Sequence, residues 1–331
     1  MSAVRETAAQ GTHMFQEAAG ASDAVRAQLR RDTAAITVIG AELRRLAPRT
    51  VITCARGSSD HAATYAKYLI ETRARVLTAS AAPSISSVYG VAQDLRGCLF
   101  IALSQSGRSP DLLASVAAAD LVIELRAGVE TSVAATKSYL ATLAALVRMV
   151  AAWTQDPALA SALDTLPALM DRSWALDWSA ALPALEPAAH LYVVGRGLGL
   201  GAAQEVALKC KETCGLHAEA FSSAELRHGP YALLGPGFPA LLLAQHDATR
   251  AGVEDLGAEL ARRGLCVMIA GAEIPGAQNS GAIPLPTLEA PPEIAPILLV
   301  QSAYRLIATL SVRRGFDPDR PAHLRKVTET V

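Results

Sequence analysis

The sequence predicts an α/β fold of two similar lobes, each a parallel sheet flanked by helices. Three observations carry that prediction. A strand-to-turn-to-helix pattern occurs twice, at residues 50–71 (TVITCARGSSDHAATYAKYLIE) and 190–212 (HLYVVGRGLGLGAAQEVALKCKE). Short apolar runs alternate with helical ones, an order that implies crossover helices and therefore parallel strands. The chain has 331 residues, 51% of them hydrophobic, which is enough for two lobes of ordinary domain size with a core in each.

The elements follow in order. Residues 1–45 read as helices leading to a first strand near Thr50. The first lobe, 46–155, continues through the Gly-Ser-Ser turn and a helix to a strand at Gly97–Ser104. Too few residues then remain to fit a helix, a strand and a second helix before Leu121–Leu125. This lobe is therefore expected to be trimmed, or to lack a stretch near Ser115–Ala119. Tyr139–Trp153 is strongly apolar but too short to span a bilayer, and it carries Arg148. Residues 156–187, rich in Pro, Ala and Leu, read as a helical connection. The second lobe, 188–318, adds strands at Ala240–Gln245 and Cys266–Ala270. A Pro/Gly-rich loop around one short strand is expected over Ile274–Pro296, and residues 319–331 form a tail.

Bulk properties exclude several function classes. Thirty basic residues against 31 acidic ones give a net charge of -1, which argues against nucleic acid or an anionic membrane as the main partner. Aromatic content of 5% disfavours a platform for stacking bases. The N-terminal MSAVRETAAQGTHMFQEAAG has no apolar core of a secretory signal. Cysteines 54, 98, 210, 214 and 266 are odd in number and without a framework, as in a reducing compartment. The expectation is a cytoplasmic, soluble protein.

Two places carry chemistry. In an open parallel sheet, ligands bind beyond the carboxyl ends of the strands, where helix N-termini point. Ser104-Gln105-Ser106-Gly107, followed by Ser109-Pro110-Asp111, occupies such an end. Hydroxyls, free backbone N–H groups and the helix dipole can together hold a phosphate there without a lysine. A capped turn with no ligand accounts for the same residues, with Ser109 and Asp111 as caps. Gly57-Ser58-Ser59 is a second hydroxyl-rich turn at an equivalent strand end.

The other place is Glu205, Lys209 and Glu212, which at i, i+4 and i+7 share one helix face. A solvated, salt-bridged surface is the bland explanation of that stripe. Its position after GRGLGLG turns it instead toward the opening at the strand ends. Cys210, Cys214 and His217 form a rival set on the adjoining face. No fourth ligand is evident, and buried packing cysteines fit better, so no metal is assigned.

Five motifs spread in order over nearly the whole chain resemble one family: SQSGRSPD (104–111), ETSVAATK (130–137), EVALKCKE (205–212), AEAFSSAELRHGP (218–230) and HLRKVTETV (323–331). They are similar to the SIS-domain phosphosugar isomerases, in particular the isomerase half of glucosamine-6-phosphate synthase and the stand-alone SIS-type glucosamine-6-phosphate deaminases. The resemblance implies two SIS lobes of flavodoxin-like, doubly wound topology. It places a sugar phosphate on Ser104, Gln105, Ser106 and Ser109, with Gly57, Ser58 and the backbone of Val133–Ala135 alongside. It makes Glu212 the base that moves a proton between C1 and C2, with Glu205 and Lys209 beside it. His228 becomes the ring-opening group, donated by the second subunit of a homodimer, and Lys326 an amine able to form a Schiff base. No cofactor is implied.

The chemistry of these residue types agrees. Proton transfer beside a carbonyl is served by a partly desolvated glutamate, and ring opening by a histidine that titrates near neutrality.

Three departures bear on the sugar. Arg56 precedes the Gly-Ser-Ser turn where a small residue is usual and adds charge near the phosphate. Ala135 replaces a serine, and Val327 follows Lys326 where serine is common. The chain reaches its first strand too early for a glutaminase domain, so removal of ammonia is the expected direction. The partner is then a phosphorylated amino sugar or hexose, and the reaction conversion of glucosamine 6-phosphate to fructose 6-phosphate and ammonia. Alternatives are an aldose–ketose phosphosugar isomerase, a deglycase acting on a glycated amine, or a sugar-phosphate sensor without turnover.

Overall fold

A computed structural model describes residues 7–31, 33–105, 107, 120–271 and 281–326. The predicted strand near Thr50 is β1 (Thr50–Cys54), which pairs in parallel with β2 (Leu77–Ser80) and β3 (Cys98–Ala102) in the order β2-β1-β3. The second sheet is β4 (His190–Gly195), β5 (His217–Ser222), β6 (Pro239–Leu243), β7 (Cys266–Ala270) and β8 (Ile283–Leu285), in the order β5-β4-β6-β7-β8 and parallel throughout. In both sheets the first strand lies between the next two. The two parallel sheets match the two strand–turn–helix patterns in the sequence, although they belong to one SIS-like α/β fold.

The two sheets differ in extent. Beyond β6 the second continues through β7 and β8, whereas among the described residues the first ends at β3. Ser115–Ala119 lie outside the described residues, and Leu121–Leu125 carries no regular structure. As an edge strand among the described residues, β3 is half-buried along most of its length although its sequence, CLFIA, is as apolar as that of the buried β6. A cleft of about 830 Å³ runs along this edge, lined by residues such as Leu43, Phe100, Leu121, Leu146 and Met149.

The helices that position the site are α1 (His13–Ala19), α2 (Ala21–Arg30), α3 (Thr33–Leu46), α4 (Ser58–Arg73), α5 (Lys137–Thr154), α6 (Pro157–Trp174), α7 (Gly199–Cys214), α8 (Arg250–Arg262) and α9 (Ala295–Arg313). Helix α4 lies on the first sheet and α7 on the second, and the two pack on each other. A separate core for each lobe is therefore not what forms. One continuous core takes Val51 from the first sheet and Leu103 just after it, Leu140 and Val147 from α5, Val193 and Met268 from the second sheet, and Tyr304 and Ile307 from α9. A smaller cluster, including Tyr192, Leu242, Leu256 and Ile269, covers the other face of the second sheet under α8.

Helix α5 is apolar all round and buried all round, as expected of a helix that other elements surround. Its one buried charge, Arg148, is placed by chemistry: its guanidinium donates to the carbonyls of Gln28 and Arg31, both at 2.7 Å, at the C-terminus of α2. Helix α9 is long and apolar enough to cross a membrane, but 83% of that stretch is buried within the fold, as in a core helix.

Candidate active site

The site begins where β1 ends. Gly57 has φ +56, a conformation that L side chains rarely adopt, and it turns the chain from β1 into α4. β1 and β3 are in register at Cys54 and Ala102, so the turn at Arg56–Ser58 and the loop starting at Ser104 leave the sheet side by side. In that loop Ser104 Oγ accepts the N–H of Gly107 at 2.9 Å, and Gly107 has φ +63. Gln105 follows in the same loop, and Ser106 and Ser109 lie outside the described residues. Arg56 is exposed.

Opposite these strand ends, the shared face of α7 is not the solvated surface its charges suggest. Glu205 is fully buried and Lys209 only 1% exposed, while the Glu212 side chain is 22% exposed. Lys209 Nζ lies 3.4 Å from Glu205 Oε1 and donates to Glu212 Oε2 at 2.6 Å and to Ser58 Oγ at 3.0 Å. Ser58 Oγ in turn donates to Glu205 Oε1 at 3.2 Å, and the Tyr304 hydroxyl to the same oxygen at 2.9 Å. His61 Nδ1 sits 3.0 Å from Glu205 Oε2.

A close helix crossing makes this network possible. A Cβ on Gly201 would lie 2.6 Å from the carbonyl oxygen of His61 and 3.0 Å from the backbone nitrogen of Tyr65. Only glycine lets the backbones of α7 and α4 touch there. That contact brings Ser58 and His61, one turn apart on α4, to the face of α7 that carries Glu205.

The electrostatics follow from the geometry. Burial pushes the Glu205 carboxyl up, but Lys209, His61 and Tyr304 outweigh it and hold the group below the usual glutamate value. Burial likewise pushes the Lys209 ammonium down, and the carboxylates of Glu205 and Glu212 more than reverse that. Both inner groups are thus held charged. Glu212 is the member of the stripe with access to solvent, and so the one able to exchange a proton with a bound molecule.

A second cluster gathers around Glu130. Its carboxylate accepts the backbone N–H groups of Thr136 (3.0 Å) and Ser138 (3.1 Å) and the hydroxyl of Ser138 (2.6 Å). Lys326 Nζ donates to Ser132 O at 2.5 Å and lies 3.4 Å from Glu130 Oε2. Val133 and Ala135 are half-exposed on either side of the buried Ala134. The structure thus brings Lys326 to the loop carrying Val133 and Ala135.

His228 is not drawn in. It is exposed at the end of a short 3-10 turn, and among the described residues no contact joins it to Glu212 or Lys326. Cys210 and Cys214 pack inside the α7–α9 interface, where burial pushes the Cys214 thiol up to about 12. His217 stands exposed at the start of β5.

Sequence reasoning missed His61, Tyr304 and Glu130. His61 could have been found, since it lies one helical turn after Ser58. Tyr304 carries no local signal, because its contact with Glu205 joins residues far apart in the chain. Glu130 was visible as the first residue of ETSVAATK, but its role depends on the fold of the loop.

The fold is an α/β domain of two parallel sheets whose buried charges on α7 meet the turn after β1 at Ser58, and the chain belongs to the SIS-domain family. That family's model, described as SIS domain, matches residues 184–313, the part holding the five-stranded sheet. A structure from Silicibacter pomeroyi DSS-3, described as a candidate phosphosugar isomerase, is 33% identical with a TM-score of 0.87, over 93% of this chain and 100% of that one. The C-terminal domain of glucosamine-fructose-6-phosphate aminotransferase from Francisella tularensis is 26% identical with a TM-score of 0.81, over 94% and 98% of the two chains. The isomerizing glutamine–fructose-6-phosphate aminotransferase of Aeropyrum pernix is 30% identical over 314 residues, 83% of this chain and 50% of that protein. The chain spans about half the length of the curated relatives it matches.

Proposed function

We propose that the chain converts glucosamine 6-phosphate and water to fructose 6-phosphate and ammonia. The observation that carries this reading is the Glu205–Lys209–Glu212 stripe, whose two inner members are buried and paired while Glu212 keeps access to solvent and shares Lys209 with Ser58.

The phosphate is held by the loop from Ser104, including Gln105, Ser106 and Ser109, next to Gly57 and Arg56. His228, contributed by a second copy of the chain, assists ring opening. Glu212 takes the proton from C2 of the open-chain aldehyde, giving an enaminol across C1 and C2. Return of a proton to C1 leaves a 2-imine. Water adds to its C=N bond, ammonia departs, and the ketose phosphate remains. Lys326 can exchange with the imine nitrogen through a transient Schiff base. Lys209 holds Glu212 in place, and Glu205, itself fixed by His61 and Tyr304, holds Lys209. Binding through the remote phosphate orients the reacting carbons.

The test is purified protein with glucosamine 6-phosphate and no glutamine, following both products. Equimolar ketose phosphate and ammonia is the expected outcome. Interconversion of aldose and ketose phosphates without ammonia would replace the reading by a plain isomerase. Binding of sugar phosphates with no turnover of any would replace it by a sensor.

A further inference from the structure

We propose that helix α1 is the template on which the 130–136 loop and the Lys326 segment are assembled, with Glu17 and Asp319 as positioning residues. The proposal rests on the reading above, in which that loop and Lys326 contact the sugar phosphate.

Three segments far apart in sequence meet at α1. The Glu17 carboxylate accepts the backbone N–H of Thr131 and, at 3.2 Å, that of Ser132. The Asp319 carboxylate accepts the N–H groups of His13 (2.8 Å) and Met14 (2.7 Å), which the first turn of α1 leaves without helical partners. The carbonyl of the same Asp319 accepts the N–H of Val133 at 3.1 Å. Three consecutive loop amides, 131 to 133, are thus committed to two acidic residues on α1 and the tail. Lys326 closes the ring by donating to Ser132 O.

Asp319 joins the helix to the loop, with its carboxylate on the first turn of α1 and its backbone carbonyl on Val133. Glu17 projects from the other end of α1 and fixes the two preceding amides. Charge-assisted hydrogen bonds of this kind are among the stronger ones available to a backbone N–H. The loop approaching the substrate and the lysine proposed to meet it therefore share one reference frame. Loss of either acid is expected to loosen both.

The test is hydrogen exchange on the full chain, read on peptides covering 129–136 and 319–326, together with calorimetric binding of glucosamine 6-phosphate and fructose 6-phosphate. Glu17→Ala is expected to speed exchange of the loop amides by about tenfold and to weaken phosphosugar binding by about tenfold, with β6 exchange unchanged. Glu17→Asp should restore part of both. Asp319→Asn should loosen the loop and the tail together, and serves as the second variant if Glu17→Ala fails to fold. Loop exchange unchanged within about twofold in both variants, with the fold intact, overturns the proposal. So does faster exchange with undiminished binding. A wild-type chain that binds glucosamine 6-phosphate without converting it overturns the proposed activity alone, and the variants still decide the positioning role.

Discussion

Glu205 and Lys209 are two charges held out of water, each tolerable only because of the other. Removing Lys209 as Lys209→Met leaves Glu205 buried with His61, Ser58 and Tyr304 but without its main counter-charge. Breaking a buried pair in this way costs about 3–5 kcal/mol, because the remaining ion keeps its desolvation penalty. Urea denaturation is expected to show a loss of that order. The same pair sets a pH window. The Glu205 carboxyl is lower in the folded state than in the unfolded one, so its contribution is complete above the ordinary glutamate range and is lost as pH falls through the folded value. The Lys209 ammonium is raised, so its contribution is complete below the ordinary lysine range and is lost as pH rises beyond it. Stability should be flat between those ranges and fall on both sides. In a Glu205→Gln, Lys209→Met double variant, scans across pH should show smaller losses at both ends.

Among elements, the α4–α7 crossing decides whether the site exists. Gly201→Val would put methyl groups into the backbone of His61 and Tyr65, and overpacking of this kind costs about 1–3 kcal/mol or more. The helices would part, taking Ser58 and His61 from Glu205, so turnover should fall further than sugar-phosphate binding. Steady-state kinetics with a thermal scan checks both. This scale also shows how much was legible in the sequence. The strand–turn–helix units, and the alignment of Glu205, Lys209 and Glu212 on one face, could be read from local pattern, because helix periodicity fixes which side chains are neighbours. Burial of that face could not, since it depends on a crossing between segments far apart in the chain. The half-burial of β3 was equally hidden: an apolar run looks the same at an edge as in the middle of a sheet.

At the scale of the whole molecule, the two sheets share one core through α4, α5, α7 and α9, so the loop proposed to hold the phosphate, after β3, and Glu212, proposed as the base on α7, are held by the same packing. The duplicated pattern correctly suggested two sheets but not their fusion, because periodicity shows which faces are apolar and not which faces meet. A base positioned this way should act on C2 of the bound sugar, and deuterium at that carbon reports on it directly. Glucosamine 6-phosphate labelled with deuterium at C2 would be incubated with the protein, and the ketose phosphate analysed by NMR. The expected result is loss of deuterium from C2, part of it transferred to C1, at a rate that Glu212→Gln lowers by about 10²–10⁴-fold while sugar-phosphate binding persists. Undiminished turnover in Glu212→Gln, or ammonia released from a substrate that keeps its C2 deuterium, would contradict proton transfer by Glu212.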